Sequence, residues 1–236
     1  MKTAVITGIT GQDGSYLAEL LLNEKGYQKV VGIVRRSAME DKKYYNIEHL
    51  LANQNLILEN ADLTDASSVW RLVKQYKPDE FYNLGAQSHV GASFTSPEST
   101  MQINATGVLN CLEAIRVLTP TTKFYQASSS EMFGNSVDAD GFQRETTPMH
   151  PVSPYGCSKL FGYSIVRNYR NSYGLHLSNG ILFNHEGEHR GYEFVTRKIT
   201  SNIAKIKLGK QKKFSLGDLN PRRDWGYAPD FVKGFY

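Results

Sequence analysis

The chain has 236 residues, with 27 lysines and arginines against 23 aspartates and glutamates and a formal net charge of +4. This balance excludes the concentrated basic surface of a nucleic-acid binder, while a modest positive excess suits an anionic small molecule. Only two cysteines occur, Cys111 and Cys157, which excludes a disulfide framework and a cysteine-based zinc site. With no secretory signal pattern and no apolar run of membrane-spanning length, the sequence predicts a cytoplasmic protein with neither a nucleic-acid nor a membrane partner.

The N-terminus has the pattern of a strand, a glycine turn and a helix. Residues 3–7 (TAVIT) are an apolar run, and Gly8, Gly11 and Gly14 follow in GITGQDG. Leucines then recur at helical spacing until Gly26, which lies where a C-cap glycine is expected. Glycines let the backbone approach a pyrophosphate, and the helix N-terminus offers free N–H groups. A plain glycine turn is the alternative, but this context favours nucleotide binding.

The second predicted strand, residues 30–34, ends in two arginines, Arg35 and Arg36. A dinucleotide site specific for NAD usually has an acidic residue at this point, which binds the ribose 2′-hydroxyl. Arginines suit a 2′-phosphate instead, so the sequence predicts NADP as the cofactor. The alternative is that both arginines are solvated surface residues.

Strands and helices continue to alternate along the chain. Residues 56–58 predict a third strand, Asp65 opens a helix that Pro78 ends, and residues 81–84 predict a fourth strand. This alternation predicts an α/β fold with a doubly wound parallel sheet of the Rossmann type. Ligands bind at the carboxyl ends of the strands of such a sheet.

The segment from the fifth strand, residues 123–127, to Lys159 carries the candidate chemistry. The strand leads into serines and Glu131, and Tyr155 lies four residues before Lys159 on a predicted helix. Residues at i and i+4 share one helix face. A lysine ammonium beside a tyrosine hydroxyl favours the phenolate, which would make Tyr155 a base near neutral pH.

A sixth strand, residues 177–183, precedes His185–His189, which matches the zinc-protease pattern H-E-x-x-H. That pattern binds zinc only on a helix, where both histidines face one metal ion. These residues follow a strand and contain a glycine, so they are predicted to form a strand-end loop that faces the cofactor, with no metal.

The C-terminal part is basic. Ile199, Ile203 and Ile206 have the spacing of a buried helical stripe. Arg222 and Arg223 stand beside Asp224 and Trp225 and suit a diphosphate, with an Arg–Asp ion pair as the alternative. The pattern PDFV near residue 236 begins another helix, so we predict that the substrate domain is incomplete.

Several segments together resemble the extended short-chain dehydrogenase/reductase family, and within it the GDP-mannose 4,6-dehydratase branch. They are ITGITGQDGSYLAE, GIVRRS, DLTD, YNLGAQSHV, FYQASSSEMFG, SPYG, NGILFNHE, FVTRKI and RDWG. The resemblance implies an NADP-binding Rossmann domain, residues 1–180, and part of a smaller domain for a sugar nucleotide, residues 181–236. It also implies a redox-neutral lyase of GDP-deoxysugar biosynthesis (GDP-fucose, for example) that acts on a GDP-sugar as a homodimer or homotetramer.

The resemblance also implies roles for individual residues. The residues at catalytic positions are Ser129, Glu131, Tyr155 and Lys159. Those at cofactor-binding positions are Gly8, Thr10, Gly11, Gln12, Asp13, Gly14, Arg35, Arg36, Ser37, Asp62, Leu63, Leu84, Gly85, Ala86, Gln87, Ser88, Tyr155, Lys159, His185 and Arg190. Those at substrate-binding positions are Ser88, Asn184, Thr196, Lys198 and Arg223.

The chain departs from the family pattern at two places. The family has S-P-R-R where residues 187–190 read GEHR, and it has a tyrosine near Ser99 that this chain lacks. Three alternatives to a mannose dehydratase stay open: a dehydratase of a GDP-linked heptose, a reductase or epimerase of sugar nucleotides, and a non-catalytic NADP-binding module. Glu131 favours elimination, because a reductase needs no second base at C5 of the sugar.

Overall fold

The computed structural model describes residues 2–36 and 44–236, and its centre is a parallel sheet of six strands in the order β3-β2-β1-β4-β5-β6. The strands are β1 Thr3–Thr7, β2 Lys29–Val34, β3 Leu56–Asn60, β4 Glu80–Asn83, β5 Lys123–Ser129 and β6 Leu177–Leu182. Val5 of β1 pairs with Val31 on one side and with Phe81 on the other. These runs of apolar residues suit strands that are covered on both faces.

Helices connect the strands. They are α1 Gln12–Glu19, which continues as a π-helical turn Leu20–Glu24, then α2 Ala66–Tyr76, α3 Val90–Thr95, α4 Pro97–Met101, a π-helical turn Gln102–Thr106, α5 Gly107–Leu118, α6 Pro154–Tyr173, α7 Val195–Lys207 and α8 Ala228–Phe235. Two short 3₁₀ helices span Tyr45–Leu50 and Ser130–Met132. The Asp65 side chain caps α2 by accepting a hydrogen bond from the Ser67 N–H, as its sequence position predicts. Ser153 caps α6 in the same way, through the Gly156 N–H.

The sheet is covered on both faces. Leu17 and Leu21, from α1 and its π-helical turn, form one core together with Val232 of α8. Leu112 of α5 and Val166 of α6 belong to the core on the opposite face, which α2 completes. This two-sided packing confirms the predicted α/β fold of the Rossmann type.

The strand order reverses between β1 and β4, which are neighbours in the sheet although β2, β3 and the helices α1 and α2 separate them in sequence. At such a reversal the loops after the two strands run to opposite faces of the sheet and leave a crevice at its carboxyl edge. The glycine loop follows β1 and residues 84–88 follow β4, so both predicted cofactor segments meet at this crevice.

Two predictions about the C-terminal part are wrong. Within the described residues α7 has no buried side chain, and Ile203 and Ile206 are 54% and 37% exposed, so the predicted buried stripe is not covered. The predicted strand-end loop over residues 185–189 is wrong at its start: residues 184–186 form a short strand, β7, which pairs in parallel with β8, residues 225–227, and the turn begins only at residue 187. Spacing within one segment shows neither whether a partner covers a face nor which distant segment completes a strand pair.

The domain boundary predicted at residue 180 stays a prediction, because a helix beyond it packs on the Rossmann sheet. Val232 and Phe235 of α8 pack in the core that α1 forms on the Rossmann sheet. In residues 2–36 and 44–236, no helix is long and apolar enough to cross a membrane.

Candidate active site

The glycine loop after β1 requires residues without side chains. Gly8 has φ +70°, and a Cβ built on it would lie 2.9 Å from the Gly85 Cα. A Cβ on Gly14 would lie 2.3 Å from the Gly8 carbonyl oxygen. Such distances are too short for any other residue type, so the loop folds tightly against the start of α1. The first N–H groups of α1 and its dipole therefore face a space that an anionic group can fill.

This space is a cavity of about 740 Å³, which we call the glycine-loop cavity. Its lining includes Gly8, Thr10, Gly11, Gln12, Asp13, Gly14, Arg35, Arg36, Asp62, Leu63, Leu84, Gly85, Ala86, Gln87, Ser88 and Arg190. All of these are predicted cofactor residues; Ser37 lies outside the described residues. Gln12 also leaves a buried side-chain oxygen, Oε1, without a hydrogen-bond partner in the described structure. The glycine cradle, the two arginines and this free acceptor fit a nicotinamide dinucleotide.

A chain of buried hydrogen bonds fixes the floor of the crevice. The Gly85 N–H donates to Thr7 Oγ1 (2.8 Å), which donates to Asn83 Oδ1 (2.7 Å). Asn83 Nδ2 donates in turn to Gln126 Oε1 at 2.8 Å. The bonds join β1, β4 and β5 at the edge where the cavity lies, and they anchor the backbone N–H of Gly85 in the loop after β4.

Asn104 holds the same loop from the other side, and the sequence analysis missed it. Its Oδ1 accepts a hydrogen bond from the Gln87 N–H (2.9 Å), and its Nδ2 contacts the Gln87 carbonyl oxygen (3.0 Å) and Ser158 Oγ (3.1 Å). Asn104 is 2% exposed and therefore ties the cofactor-side loop to α6. The only signal in the sequence was an amide between apolar residues in a helical segment.

A second cavity of about 330 Å³ adjoins the first and is called here the Tyr155 cavity. It brings together the four predicted catalytic residues, Ser129, Glu131, Tyr155 and Lys159. Two predicted substrate residues, Ser88 and Asn184, and the predicted cofactor residue His185 also line it. Both cavities share Asp13, Leu84, Ala86, Ser88 and Arg190, so a molecule in one can contact a molecule in the other.

The turn after β5 positions Ser129 and Glu131. The Glu131 N–H donates to Ser129 Oγ at 3.2 Å, which starts the 3₁₀ helix Ser130–Met132. Gly156 of α6 approaches this turn so closely that a Cβ there would lie 2.7 Å from the Glu131 carbonyl oxygen. The carboxylate of Glu131 is half-buried and faces the same cavity as Tyr155.

Tyr155 and Lys159 share a face of α6, as predicted, but their contact differs from the prediction. Lys159 Nζ donates to the Ala127 carbonyl oxygen at 2.9 Å and lies 5.7 Å from the centre of the Tyr155 ring. Burial raises the pKa of Tyr155 to about 12, although a hydrogen bond with Ser129 acts in the opposite direction. Burial also lowers the pKa of Lys159 to about 8. Tyr155 is therefore a phenol at neutral pH here, because burial disfavours its charged form.

A buried group of three side chains joins α1 to β7. His185 Nε2 lies 2.9 Å from Asp13 Oδ2, and its Nδ1 lies 2.7 Å from the Phe183 carbonyl oxygen. Gln12 Nε2 donates to Asp13 Oδ1 (3.1 Å) and to the His185 carbonyl oxygen (3.0 Å). The sequence separated these groups by more than 170 residues, and the fold places them between the two cavities.

The two histidines of the H-E-x-x-H pattern have different partners. His185 contacts Asp13, whereas the His189 ring stacks on Tyr16 with ring centres 4.3 Å apart and contacts Ser15 Oγ through Nδ1 (2.8 Å). In the part of the chain that the structure describes, no group of three or more His, Cys, Asp and Glu side chains is arranged to hold a metal ion. Residues 187–190 form the turn that follows β7 and bring Arg190 into both cavities.

Three predicted substrate residues lie outside the two cavities. Thr196 is in the first turn of α7 and donates a hydrogen bond to Glu186, and Lys198 lies in the next turn. Arg223 lies in an exposed loop before β8, where its Nη1 donates to the Arg222 carbonyl oxygen (2.8 Å). Among the described residues Arg223 forms no ion pair with Asp224, the arrangement that the sequence left open as an alternative.

Comparison with known proteins identifies close relatives. A family model described as GDP-mannose 4,6 dehydratase matches residues 5–236. The chain is 53% identical to the GDP-mannose 4,6-dehydratase of Yersinia enterocolitica, over 99% of this chain and 63% of that protein. It is 51% identical to the GDP-mannose 4,6-dehydratase of Vibrio cholerae, over 98% of this chain and 63% of that protein. The chain thus spans about 63% of the length of both relatives.

Solved structures share the fold. The dTDP-glucose 4,6-dehydratase DesIV of Streptomyces venezuelae, solved with NAD bound, superimposes with a TM-score of 0.84 at 23% identity. The match covers 98% of this chain and 70% of that one. At this identity the likeness supports the Rossmann-type architecture and no finer conclusion.

Proposed function

The chain belongs to the GDP-mannose 4,6 dehydratase family, and from this premise we propose that it acts as a redox-neutral lyase that converts GDP-mannose to GDP-4-keto-6-deoxymannose. One observation carries the proposal: Ser129, Glu131, Tyr155 and Lys159 line a single cavity that adjoins the glycine-loop cavity. The reaction needs one base at C4, a second at C5 and an acid at C6 of the sugar, next to a nicotinamide.

In the proposed reaction, Tyr155 and Glu131 divide the proton transfers between them. Tyr155 is a phenol at neutral pH in the structure, so it can remove the proton of the C4 hydroxyl only once its phenolate form is favoured. The positive charges of Lys159 and of a bound oxidised nicotinamide would both favour that form. The keto group at C4 makes the C5 proton acidic. Glu131 takes that proton and, with Ser129, helps the C6 hydroxyl to leave as water. The glycine loop, Arg35 and Arg36 would hold a nicotinamide dinucleotide, which would supply the hydride acceptor for C4 and the hydride donor for C6 without being consumed.

Of the residues expected to hold the GDP part, one lines the Tyr155 cavity and three lie outside it. Asn184 lines the cavity, while Thr196 and Lys198 are in the first turns of α7. Arg223 is exposed and free of ion pairs in the described structure, which suits the binding of a diphosphate. The cytoplasmic location and the assembly as a homodimer or homotetramer stay predictions.

We expect a preference for NADP over NAD, because Arg35 and Arg36 line the glycine-loop cavity at the carboxyl end of β2. A guanidinium–phosphate contact is a charge-assisted hydrogen bond, which contributes about 1.5–3 kcal/mol to the binding free energy. Replacing Arg35 by aspartate should therefore lower the ratio of NADP to NAD affinity by about tenfold or more. Fluorescence titration with both dinucleotides measures the ratio. Lys212→Asp, which makes the same charge change on an exposed residue outside the cavities, should leave the ratio unchanged. Equal affinity of the unmodified protein for both dinucleotides would refute the assignment.

The full-length protein incubated with GDP-mannose tests the activity itself, without an added hydride donor. We expect a product lighter by one water, and a deuterium label at C4 of the sugar should arrive at C6. Loss of the label to solvent would contradict an internal hydride transfer. A product of unchanged mass would indicate an epimerase. Turnover with a GDP-linked heptose but not with GDP-mannose would mean that the substrate is the heptose.

A further inference from the structure

The hydrogen-bond partners of His185 determine its charge. Its Nδ1 faces the Phe183 carbonyl oxygen at 2.7 Å, and its Nε2 faces Asp13 Oδ2 at 2.9 Å. A carbonyl oxygen and a carboxylate oxygen can only accept hydrogen bonds. Both ring nitrogens must therefore carry a proton, and a histidine with two N–H groups is an imidazolium cation.

A neutral pair, with the proton on Asp13 instead, fits the surroundings less well. Asp13 Oδ1 accepts a hydrogen bond from Gln12 Nε2, and the charge of Arg190 also acts on this carboxylate. Burial is the largest influence on the pKa of Asp13 and raises it, but the contacts with His185, Gln12 and Arg190 hold the pKa below its ordinary value. Burial likewise acts to lower the pKa of His185, but Asp13 raises it above the ordinary value.

Further contacts fix the position of the Asp13–His185 pair. His185 is 7% exposed, and its ring stacks on Phe231 of α8 with ring centres 4.6 Å apart and an angle of 12°. Gln12 Nε2 donates to the His185 carbonyl oxygen at 3.0 Å. The pair therefore connects the start of α1 with β7 and α8, and neither partner can turn away without leaving a buried polar group unpaired.

The negative charge of Asp13 acts on the proposed catalytic groups. It favours the ammonium form of Lys159 and disfavours the phenolate of Tyr155, and all three side chains line the Tyr155 cavity. Both effects depend on how far a neighbouring cation cancels the carboxylate. The charged and titratable groups that face the pair are Arg190 from the turn after β7, Lys159 and Tyr155 from α6, and the buried Tyr125 of β5, whose pKa burial and the Asp13 charge both raise. Helix α8 contributes the aromatic ring of Phe231.

We propose that Asp13 and His185 are positioning residues that form a permanent ion pair, in which His185 cancels the charge of Asp13 in the cavity that Tyr155 and Lys159 also line. With the pair intact, the carboxylate can connect α1 and β7 while adding little to the burial effect that raises the pKa of Tyr155. The inference concerns the protonation of this chain and does not depend on the identity of the sugar.

The first test uses the unmodified full-length protein labelled with ¹⁵N-histidine. Long-range ¹H–¹⁵N spectra should show both ring nitrogens of His185 protonated at pH 7.5, about one unit above the ordinary histidine pKa of about 6.5. The signal is assigned by its disappearance in His185→Gln. A singly protonated His185 at pH 7 would overturn the proposal.

The second test follows Lys159 through ¹³C-lysine NMR. In the unmodified protein its titration should be centred near pH 8. His185→Gln leaves Asp13 uncompensated, so the midpoint should rise by about one pH unit. Asp13→Asn with His185→Gln removes both charges and should return the midpoint close to the original value, which loss of packing alone would not do. His176→Gln is the matched control and should change nothing. A midpoint that stays unchanged in His185→Gln, or that the double variant fails to restore, would contradict charge compensation.

Discussion

Replacing Glu131 by glutamine is expected to lower the rate of water loss by about 10²–10⁴-fold, the usual effect of removing a positioned acid or base. Glutamine keeps the shape of the side chain and the bond from the Glu131 N–H to Ser129 Oγ, because that bond involves only the backbone of Glu131. It cannot take a proton from C5 of the sugar. Tyr155 and Lys159 are untouched, so oxidation at C4 should continue.

The expected result is that the Glu131→Gln reaction stops after oxidation at C4. Absorbance of the reduced dinucleotide near 340 nm should build up on Glu131→Gln in the presence of GDP-mannose, at no more than one equivalent per site. Glu145→Gln, which makes the same change at an exposed position outside both cavities, should behave like the unmodified protein. Normal turnover of Glu131→Gln would disprove the assignment, and the base would then have to be sought at Glu193, another carboxylate that lines the Tyr155 cavity.

The sequence predicted the central fold well, because local patterns determine most of it. The apolar run 3–7 is β1 without change, and Asp65 caps α2 with its side chain. In a parallel sheet that is covered on both faces, a strand needs only an apolar run, and a helix needs only its periodicity and its caps. The carboxyl ends of the strands then lie at one edge, which brings the predicted cofactor residues together without knowledge of any contact.

What the sequence could not predict depends on distant partners. The pairing of β7 with β8 joins segments about 40 residues apart, and the contact of Asp13 with His185 spans 172. The pKa of Tyr155 depends on its burial, which sequence spacing does not reveal. The sequence predicted a phenolate, whereas burial in the structure raises the pKa of Tyr155 to about 12 and favours the phenol. Ile203 is exposed for the same reason, since periodicity shows which residues share a face and not what covers that face.

Replacing Gly14 by alanine should destabilise the protein and weaken dinucleotide binding by about tenfold or more. Gly14 lies in α1, where alanine normally gains up to about 1 kcal/mol over glycine. Here the added Cβ would lie 2.3 Å from the Gly8 oxygen, 2.6 Å from the Ile9 Cα and 2.8 Å from the Gly8 carbonyl carbon. All three are backbone atoms, so no side chain can rotate to make room.

The destabilisation by the clash should exceed the gain in helix propensity, because overpacking typically costs about 1–3 kcal/mol and here it displaces the backbone of the glycine loop. We expect a net loss of about 1–2 kcal/mol, which lowers the melting temperature by roughly 2–8 °C for a protein of this size. Gly217→Ala is the matched control, because a Cβ there meets no atom within 4 Å; its stability should change by less than about 0.5 kcal/mol. Calorimetry and dinucleotide titration measure the two effects. Helix α1 can relieve the clash only by moving away from Gly8, which takes its first N–H groups out of the glycine-loop cavity. Dinucleotide affinity and stability should therefore fall together. A Gly14→Ala protein that binds the dinucleotide as tightly as the control would mean that the loop is not the phosphate site.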